Sequence, residues 1–348
     1  MLLKPALKKV FRQALDRVWE RTAGLACRLA LAAFVMCSQG AQAAPGPAAP
    51  ALQSSTADCP PPPEQDYAEA FQKAMRHPAD HGFLWSISKS GHTSYLYGTL
   101  HAAKAEWMAP GPTLIHAFSA ADTVALEMDL GDAAVREHML ALMSGDHGAA
   151  LPPPLAARLR KMADALCAPS ESLGRISPAL QVATLSAYAG RRDGIEAAYG
   201  IDLVLAGMGH AAGKRMVSLE TPERQLQALQ FPDPRDNLSF VRNGLQDLES
   251  GRARSVLLRL ATAWADSNYA ELAHYDQWCE CLATRLDRGL MARMLQGRNP
   301  GMAEKIDALH SSGRQVLAAV GSAHMFGPTG LPRLMAERGY IVERVSAP

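Results

Sequence analysis

The chain has no apolar run long enough to span a bilayer comfortably, and no long run of Lys and Arg after residue 43. The apolar stretch near its start, residues 29–36, falls well short of the roughly 20 residues that a transmembrane helix needs. Without a basic run, the rest of the chain lacks the electrostatic footprint typical of proteins that bind nucleic acids or anionic membranes. We therefore expect a peptide or small-molecule partner, no nucleic acid and no stable membrane anchor.

Two common hydrolase signatures are also missing. His-Glu-x-x-His does not occur, which excludes a common zincin, and Gly-x-Ser-x-Gly does not occur, which excludes the usual nucleophile elbow. Ser322 lies beside His324, but no order of triad partners is evident. A serine hydrolase is therefore only a third choice.

The first 43 residues have the organisation of a secretory signal peptide. Basic residues precede the apolar stretch, and Ala41-Gln42-Ala43 places small residues at both positions that define a cleavage site. Cys37 allows a lipoprotein alternative, although Met36 before it is not the small residue that such processing prefers. Cleavage after Ala43 would deliver the protein to the periplasm or outside the cell. It would remove seven of 35 basic and two of 34 acidic residues, which leaves 28 and 32.

The remaining chain divides into a short linker and one large domain. Residues 44–66 are rich in Ala and Pro and cannot bury enough apolar surface to order themselves. Residues 67–348 are sufficient for a single domain with a substantial core. Within this domain, helical periodicity over about 131–212 and 222–310 predicts two insertions that form a helical cap over the strand ends.

Four cysteines would survive the cleavage, an even number that suits two disulfides in an oxidising compartment. A bond between Cys279 and Cys281 would close a strained ring because only one residue separates them. We expect each of them to pair outward, with Cys59 or Cys167, in an order that the sequence does not fix.

One short pattern occurs twice, each time directly after a strand-like apolar run. Gly98–His101 and Gly321–His324 both read Gly-x-x-His, and the two histidines are 223 residues apart, from 101 to 324. Glycine lets the chain turn without strain, and ligands bind beyond the carboxyl ends of parallel strands. Two histidines presented in this way are expected to converge on one crevice, although 11 histidines in the chain leave room for a chance pair of matches.

Two further apolar runs end in acid. One run, residues 123–126, leads into Glu127 and Asp129, and another, residues 215–219, leads into Glu220. A carboxylate at the end of a buried strand is costly to desolvate unless it meets a cation or a metal. Histidine with carboxylate is the ligand set of metal hydrolases and also of general acid–base pairs. Pairing of Glu220 with Lys or Arg, and helix capping by Asp129, remain the structural alternatives.

The pattern of elements predicts an α/β (α+β) fold. Residues 83–88 and 94–97 read as a hairpin that feeds a central mixed, largely parallel sheet. Flanking helices and the helical cap would complete the fold, and the two Gly-x-x-His segments hint at two pseudo-related halves.

These residues resemble the TraB/PrgY/GumN family, which includes Tiki-type metalloproteases and is distantly similar to erythromycin esterases and ChaN-like proteins. The resemblance covers most of the chain after about Phe83. The motifs that carry it are Tyr97–His101, Leu126–Asp129, Tyr199–Asp202, Leu219–Thr221 with Gln225, Arg298–Asn299, Val320–His324 with Gly327, Gly330–Leu331 and Gly339–Tyr340.

The resemblance implies an erythromycin esterase/ChaN-like architecture and a divalent-metal-dependent hydrolase, most plausibly a peptidase. Carried over to this chain, His101, Glu127 and His324 are the expected ligands of manganese, zinc or cobalt. Glu220 would be a further acidic contributor that shuttles a proton, and Arg298 would hold a substrate carboxylate or an oxyanion. Asp202 begins a predicted helix, so capping and catalysis are equally open for it.

A second function class remains open. The same cleft could sequester a peptide, haem or metal without turnover, because a strand-end histidine also suits a haem iron. The substrate and the oligomeric state are not encoded in any pattern we find.

Overall fold

The computed structural model describes residues 59–60, 67–144 and 151–345. The predicted signal peptide at 1–43 and nearly all of the predicted linker at 44–66 lie outside these residues. Within the described ranges, no helix is both long and apolar enough to cross a membrane.

The centre of the molecule is one six-stranded mixed sheet. Its strands are β1 (Phe83–Lys89), β2 (His92–Thr99), β3 (Thr123–Leu126), β4 (Arg215–Ser218), β5 (Val316–Gly321) and β6 (Ile341–Val345). They lie in the order β4-β3-β5-β2-β1-β6. The predicted α/β class and the mixed, largely parallel sheet are confirmed.

Four neighbouring strands run parallel, and this arrangement sets the position of the site. β4, β3, β5 and β2 pair parallel to one another, so that their carboxyl ends meet at one edge of the sheet. β1 pairs antiparallel with β2, as the predicted hairpin requires, and β6 pairs antiparallel with β1. β3 and β5 are buried along their whole length, as is usual for strands covered on both faces.

Helices fill most of the remaining described chain. They are α1 (Tyr67–Ala74), α2 (Pro112–Ala120), α3 (Ala133–Met143), α4 (Pro153–Ala165), α5 (Ser170–Leu173), α6 (Pro178–Tyr188), α7 (Ile201–Ala211), α8 (Pro222–Ala228), α9 (Pro234–Ser250), α10 (Arg252–Ala265), α11 (Tyr269–Ala273), α12 (Arg285–Met291), α13 (Asn299–Ser311) and α14 (Leu331–Glu337). Several begin at a side-chain cap followed by proline, as at Ser177, Thr221 and Asp233.

The buried apolar side chains form two clusters. One surrounds the sheet and includes Val204 of α7, Trp264 of α10 and Ile306 of α13. The other joins α3, α4, α6, α8, α9 and α12, and it begins at Met128, just beyond the end of β3. Parts of both predicted insertions therefore pack on the sheet itself, and the helices of the second cluster form a separate layer next to the strand ends.

The predicted disulfide pairing is wrong. Cys59 bonds Cys167, and Cys279 bonds Cys281, so the two neighbours do not pair outward. The residue between them, Glu280, has a φ of 54°, a left-handed turn that brings the two Cα atoms to 5.1 Å. Our expectation rested only on the strain of a ring closed across a single residue.

Candidate active site

Four polar side chains follow the four parallel strands at the same edge of the sheet. His101 comes two residues after β2, Glu127 directly follows β3, and Glu220 comes two residues after β4. His324 lies in a short 3₁₀ turn, Ser322–Met325, directly after β5. The structure thus brings together residues that the sequence separates by up to 223 positions.

Backbone pairing continues beyond the ends of β3 and β4 and aligns the two glutamates. The amide of Leu219 donates to the carbonyl of Leu126, and the amide of Glu220 donates to the carbonyl of Glu127. Glu220 then precedes the Thr221 cap of α8, which fixes where the chain leaves the sheet. Both carboxylates are buried.

The guanidinium of Arg298 joins these carboxylates. Its Nη2 donates to Glu127 Oε2 at 2.6 Å, and its Nε donates to Glu220 Oε2 at 2.8 Å. The side chain is only 2% exposed. A π-helical turn, Ala292–Gln296, ends the preceding helix two residues before Arg298. Such turns are frequent at functional sites. The guanidinium nitrogens of Arg298 donate to Glu127, to Glu220 and to the carbonyl of Met294. The expected contact of Arg298 with a substrate remains a prediction.

Glu127 is held at both oxygens. Oε2 accepts from Arg298 and from Gln225 Nε2 at 3.1 Å, whereas Oε1 accepts from the amide of Gly321 at 2.7 Å. Three donors from separate parts of the chain therefore fix the direction of this carboxylate, which leaves Oε1 facing the two histidines.

The two histidines approach the same carboxylate oxygen. The Nε2 atoms of His101 and His324 lie 3.7 Å and 3.5 Å from Glu127 Oε1. On the opposite side of each ring, His101 Nδ1 lies 3.3 Å from Asp202 Oδ2, and His324 Nδ1 bonds Asn299 Oδ1. His101 Nε2 is buried and has no hydrogen-bond partner among the described residues.

The two histidines differ in their electrostatic surroundings. Burial lowers the pKa of His101, but Asp202 and Glu127 more than offset it and raise the value to about 9. Burial lowers the pKa of His324 to about 3, with Arg298 and His101 acting in the same direction against Glu127. Burial also raises the pKa of Glu127, but the charges of His324, Arg298 and His101 outweigh burial, and its pKa lies well below its usual range. Glu127 is therefore ionised at neutral pH.

Glycine at position 321 keeps the space between the three groups open. A Cβ atom there would lie 3.0 Å from His101 Nε2, 3.1 Å from Glu127 Oε1 and 3.7 Å from His324 Cδ2. A methyl group would occupy the space that these three side chains surround. The glycine of the second Gly-x-x-His motif thus keeps the cleft open, in addition to allowing the turn.

No group of three or more His, Cys, Asp and Glu side chains in the described part of the chain lies close enough together to hold a metal ion. The separations of each histidine Nε2 from Glu127 Oε1 can be compared with those between the ligands of a metal ion. Two ligands about 2.1 Å from one tetrahedral cation lie roughly 3.4 Å apart, close to the 3.5 Å and 3.7 Å found here.

The other residues singled out by sequence have clear positions. Asp129 does not cap the next helix, because Asp132 does so, and it bonds His210 instead at 2.9 Å. Ser322 donates its hydroxyl proton to the carbonyl of Thr99. Asp202 does not cap α7 and instead faces His101, in the first turn of that helix.

Two further residues contact the site: Gln225, for which substrate contact and hydrogen bonding were both open from the sequence, and Asn299, which had no role beyond its motif. Gln225 bonds Glu127 and Asn299 bonds His324. The sequence offered one signal for Asn299, its position next to Arg298. It offered none for the bond of Gln225 to Glu127, because the two residues are 98 positions apart.

The comparisons with known proteins identify one family. The model of the TraB/PrgY/gumN family matches residues 83–344, which include all of the sheet except its last residue and every residue of the candidate site. No curated protein and no solved structure matches the chain.

Proposed function

The chain belongs to the TraB/PrgY/gumN family, and from this membership and the site geometry we propose that it is a divalent-metal-dependent hydrolase that cleaves peptide bonds. His101, His324 and Glu127 would hold the metal. Glu220 and Arg298 would complete the catalytic group.

The observation that carries the proposal is the approach of two imidazole nitrogens to one carboxylate oxygen. The separations of 3.5 Å and 3.7 Å are too long for hydrogen bonds but suit ligands of a shared cation. His101 Nε2 is buried without a partner, and leaving such an atom unsatisfied costs about 1–3 kcal/mol. A bound cation would satisfy this nitrogen together with the other two donors.

The charge of the surrounding groups favours a divalent ion. Glu127, Glu220 and Asp202 carry three negative charges, and Arg298 carries one positive charge. Because the pKa of His101 is about 9, a bound cation would displace the proton of this ring. With both histidines then neutral, the cluster would have a net charge of −2, which a divalent cation would balance. Two imidazoles and a carboxylate suit zinc, manganese or cobalt.

A divalent ion bound there would supply Lewis acidity, polarising a substrate carbonyl and making a bound water acidic enough to attack near neutral pH. The protein's own groups would then orient the reactants. Arg298, Gln225 and the amide of Gly321 hold Glu127 in one direction, so that no reorganisation is needed during the reaction. Glu220 Oε1 is buried without a hydrogen-bond partner in the described structure, and it would accept the proton of the water.

We place the reaction outside the cytoplasm, after cleavage behind Ala43. The two disulfides support an oxidising compartment, since such bonds are rare in the cytosol. The N-terminal residue of the exported protein, determined by mass spectrometry, tests this placement.

The first test is elemental analysis of the exported protein and of its His101→Ala/His324→Ala double variant. We expect close to one divalent ion per chain in the parent and none in the folded double variant. His138→Ala is the matched control, because this histidine is exposed, pairs with Glu223 and is not one of the proposed ligands. Equal metal content in the parent and the double variant would contradict the proposed site.

Activity is tested next on a peptide library. Cleavage that a chelator abolishes and that the metal restores supports the peptidase. A metal-loaded protein without turnover would instead support the sequestering alternative, and a strong visible absorption band would indicate haem.

A further inference from the structure

Each histidine ring has a polar partner on the side that faces away from Glu127. We infer that Asn299 is a positioning residue: its amide oxygen holds His324 as the Nδ1–H tautomer and thereby directs the Nε2 lone pair at the space beside Glu127 Oε1. This inference deepens the proposed function and rests on it for its catalytic meaning.

The hydrogen bonds of Asn299 fix which end of its amide faces the ring. Its Nδ2 donates to the carbonyl of Thr329 at 2.7 Å and lies 3.4 Å from the carbonyl of His324. Because both partners are acceptors, the nitrogen of the amide lies on that side, and Oδ1 faces His324 Nδ1. An amide oxygen only accepts, so Nδ1 must carry the proton.

The position of Asn299 in the fold makes this arrangement rigid. Asn299 is the first residue of α13, directly after Arg298, and it is completely buried. The start of one helix therefore sends two adjacent side chains into the site, Arg298 to Glu127 and Asn299 to His324. A shift of this helix start would disturb both together.

The competing arrangement shows why the tautomer matters. If His324 carried its proton on Nε2, the ring could donate it to Glu127 Oε1 after a small rotation, since the two atoms are 3.5 Å apart. That hydrogen bond would satisfy both groups and leave no lone pair for a ligand. Asn299 accepts the hydrogen bond of Nδ1–H and so keeps the proton away from Nε2. Nε2 of His324 therefore stays unprotonated and faces the carboxylate oxygen of Glu127.

The second histidine supports the same principle with a different side chain. His101 Nδ1 faces Asp202 Oδ2 at 3.3 Å, and an ionised carboxylate also only accepts. Carboxylate or carbonyl oxygens behind metal-binding histidines are a general feature, and their loss typically weakens metal binding about 10–100-fold.

Nitrogen NMR of the ¹⁵N-histidine-labelled, metal-free full chain tests the inference without any activity. The His324 signals are assigned by their absence in His324→Gln. We expect a protonated Nδ1 and an unprotonated Nε2 in the parent protein. A parent protein with its proton on Nε2 would overturn the inference, and His324→Gln serves only to assign the signals.

Two variants then separate positioning from mere packing. Asn299→Asp keeps an acceptor for Nδ1 but loses the donor to Thr329, whereas Asn299→Leu loses both. We expect Asn299→Leu to lose the tautomer preference and to bind Zn²⁺ about 10–100-fold more weakly by calorimetry. Asn299→Asp should retain the tautomer and bind within several-fold of the parent.

The outcomes distinguish this inference from the function on which it rests. Equal losses in both Asn299 variants would show that the residue only anchors the Thr329 loop, and would overturn the inference. A parent protein that shows the Nδ1–H tautomer but binds no Zn²⁺, Mn²⁺ or Co²⁺ would refute the proposed function and leave the positioning role intact.

Discussion

Replacing Gly321 by alanine should close the proposed metal site while leaving the fold intact. The backbone at this residue has φ −49° and ψ 137°, a region that alanine adopts without strain. Any effect of the change must therefore come from the added methyl group. Its Cβ would lie 3.0 Å from His101 Nε2 and 3.1 Å from Glu127 Oε1.

The size of the effect follows from these contacts. Ordinary van der Waals contact begins near 3.4 Å, so the methyl group is 0.3–0.4 Å too close to both atoms. Overpacking of this kind costs about 1–3 kcal/mol of unfolding free energy. Metal binding should suffer more, about 100-fold or beyond, because the obstruction lies between the donors themselves and loss of an outer contact alone costs 10–100-fold.

The assay is calorimetric titration with Zn²⁺ alongside chemical denaturation. Gly301→Ala is the matched control, because it lies in α13 and its nearest atom, Arg224 Nη2, is 3.9 Å away. The control should bind as the parent does and be at least as stable, since alanine is favoured over glycine in a helix by up to about 1 kcal/mol. If the Gly321 and Gly301 variants bound the metal with equal affinity, the proposed site of His101, Glu127 and His324 would be refuted.

Three further predictions concern the protein's stability. Replacing Cys59 and Cys167 by serine opens a loop of 108 positions and should lower the unfolding free energy by up to about 5 kcal/mol, measured by denaturation; a loss below 1 kcal/mol would argue against that bridge. Burial raises the pKa of Asp247 to about 7, above its unfolded value, so the native state binds the extra proton and stability should fall as pH rises from about 4 to 7. Relative to Asp247→Asn, the parent should lose about 2–3 kcal/mol between pH 5 and 8, and parallel pH curves would contradict this. Arg298→Met leaves two buried carboxylates unpaired and should cost about 3–5 kcal/mol in thermal or chemical unfolding; adding Glu220→Gln should restore part of the loss, and strictly additive effects would show that the groups are not coupled.

The positions of the strand ends could be predicted because local chemistry specifies them. A buried apolar run that stops at glycine or at an acid is typical of a buried strand that ends there. Parallel strands bring their carboxyl ends to one edge of the sheet. His101, Glu127, Glu220 and His324 accordingly lie together where the sequence pattern placed them. Their metal-binding and catalytic roles remain predictions.

Long-range partners could not be predicted in the same way. Arg298 reaches Glu127 across 171 positions and Glu220 across 78, and no local pattern encodes such a pairing. The disulfide error has the opposite origin, because a local turn at Glu280 decided it. The sequence marked Asn299 only as the neighbour of Arg298. Its contact with His324 depends on the orientation of its side-chain amide, which the sequence does not specify.

The pairing of β2 with β5 has a consequence for how the protein folds during its synthesis. Thr99 lies opposite Gly321 in the sheet, so strands from nearly opposite ends of the domain are neighbours. Contacts between such distant segments form late and slowly, because a large loop must close before they contribute. A chain still being synthesised has neither His324 nor its Gly321 amide, and consequently cannot assemble the cleft. The protein therefore acquires this site only when β5 joins the sheet, and a product of termination before Gly321 would lack it.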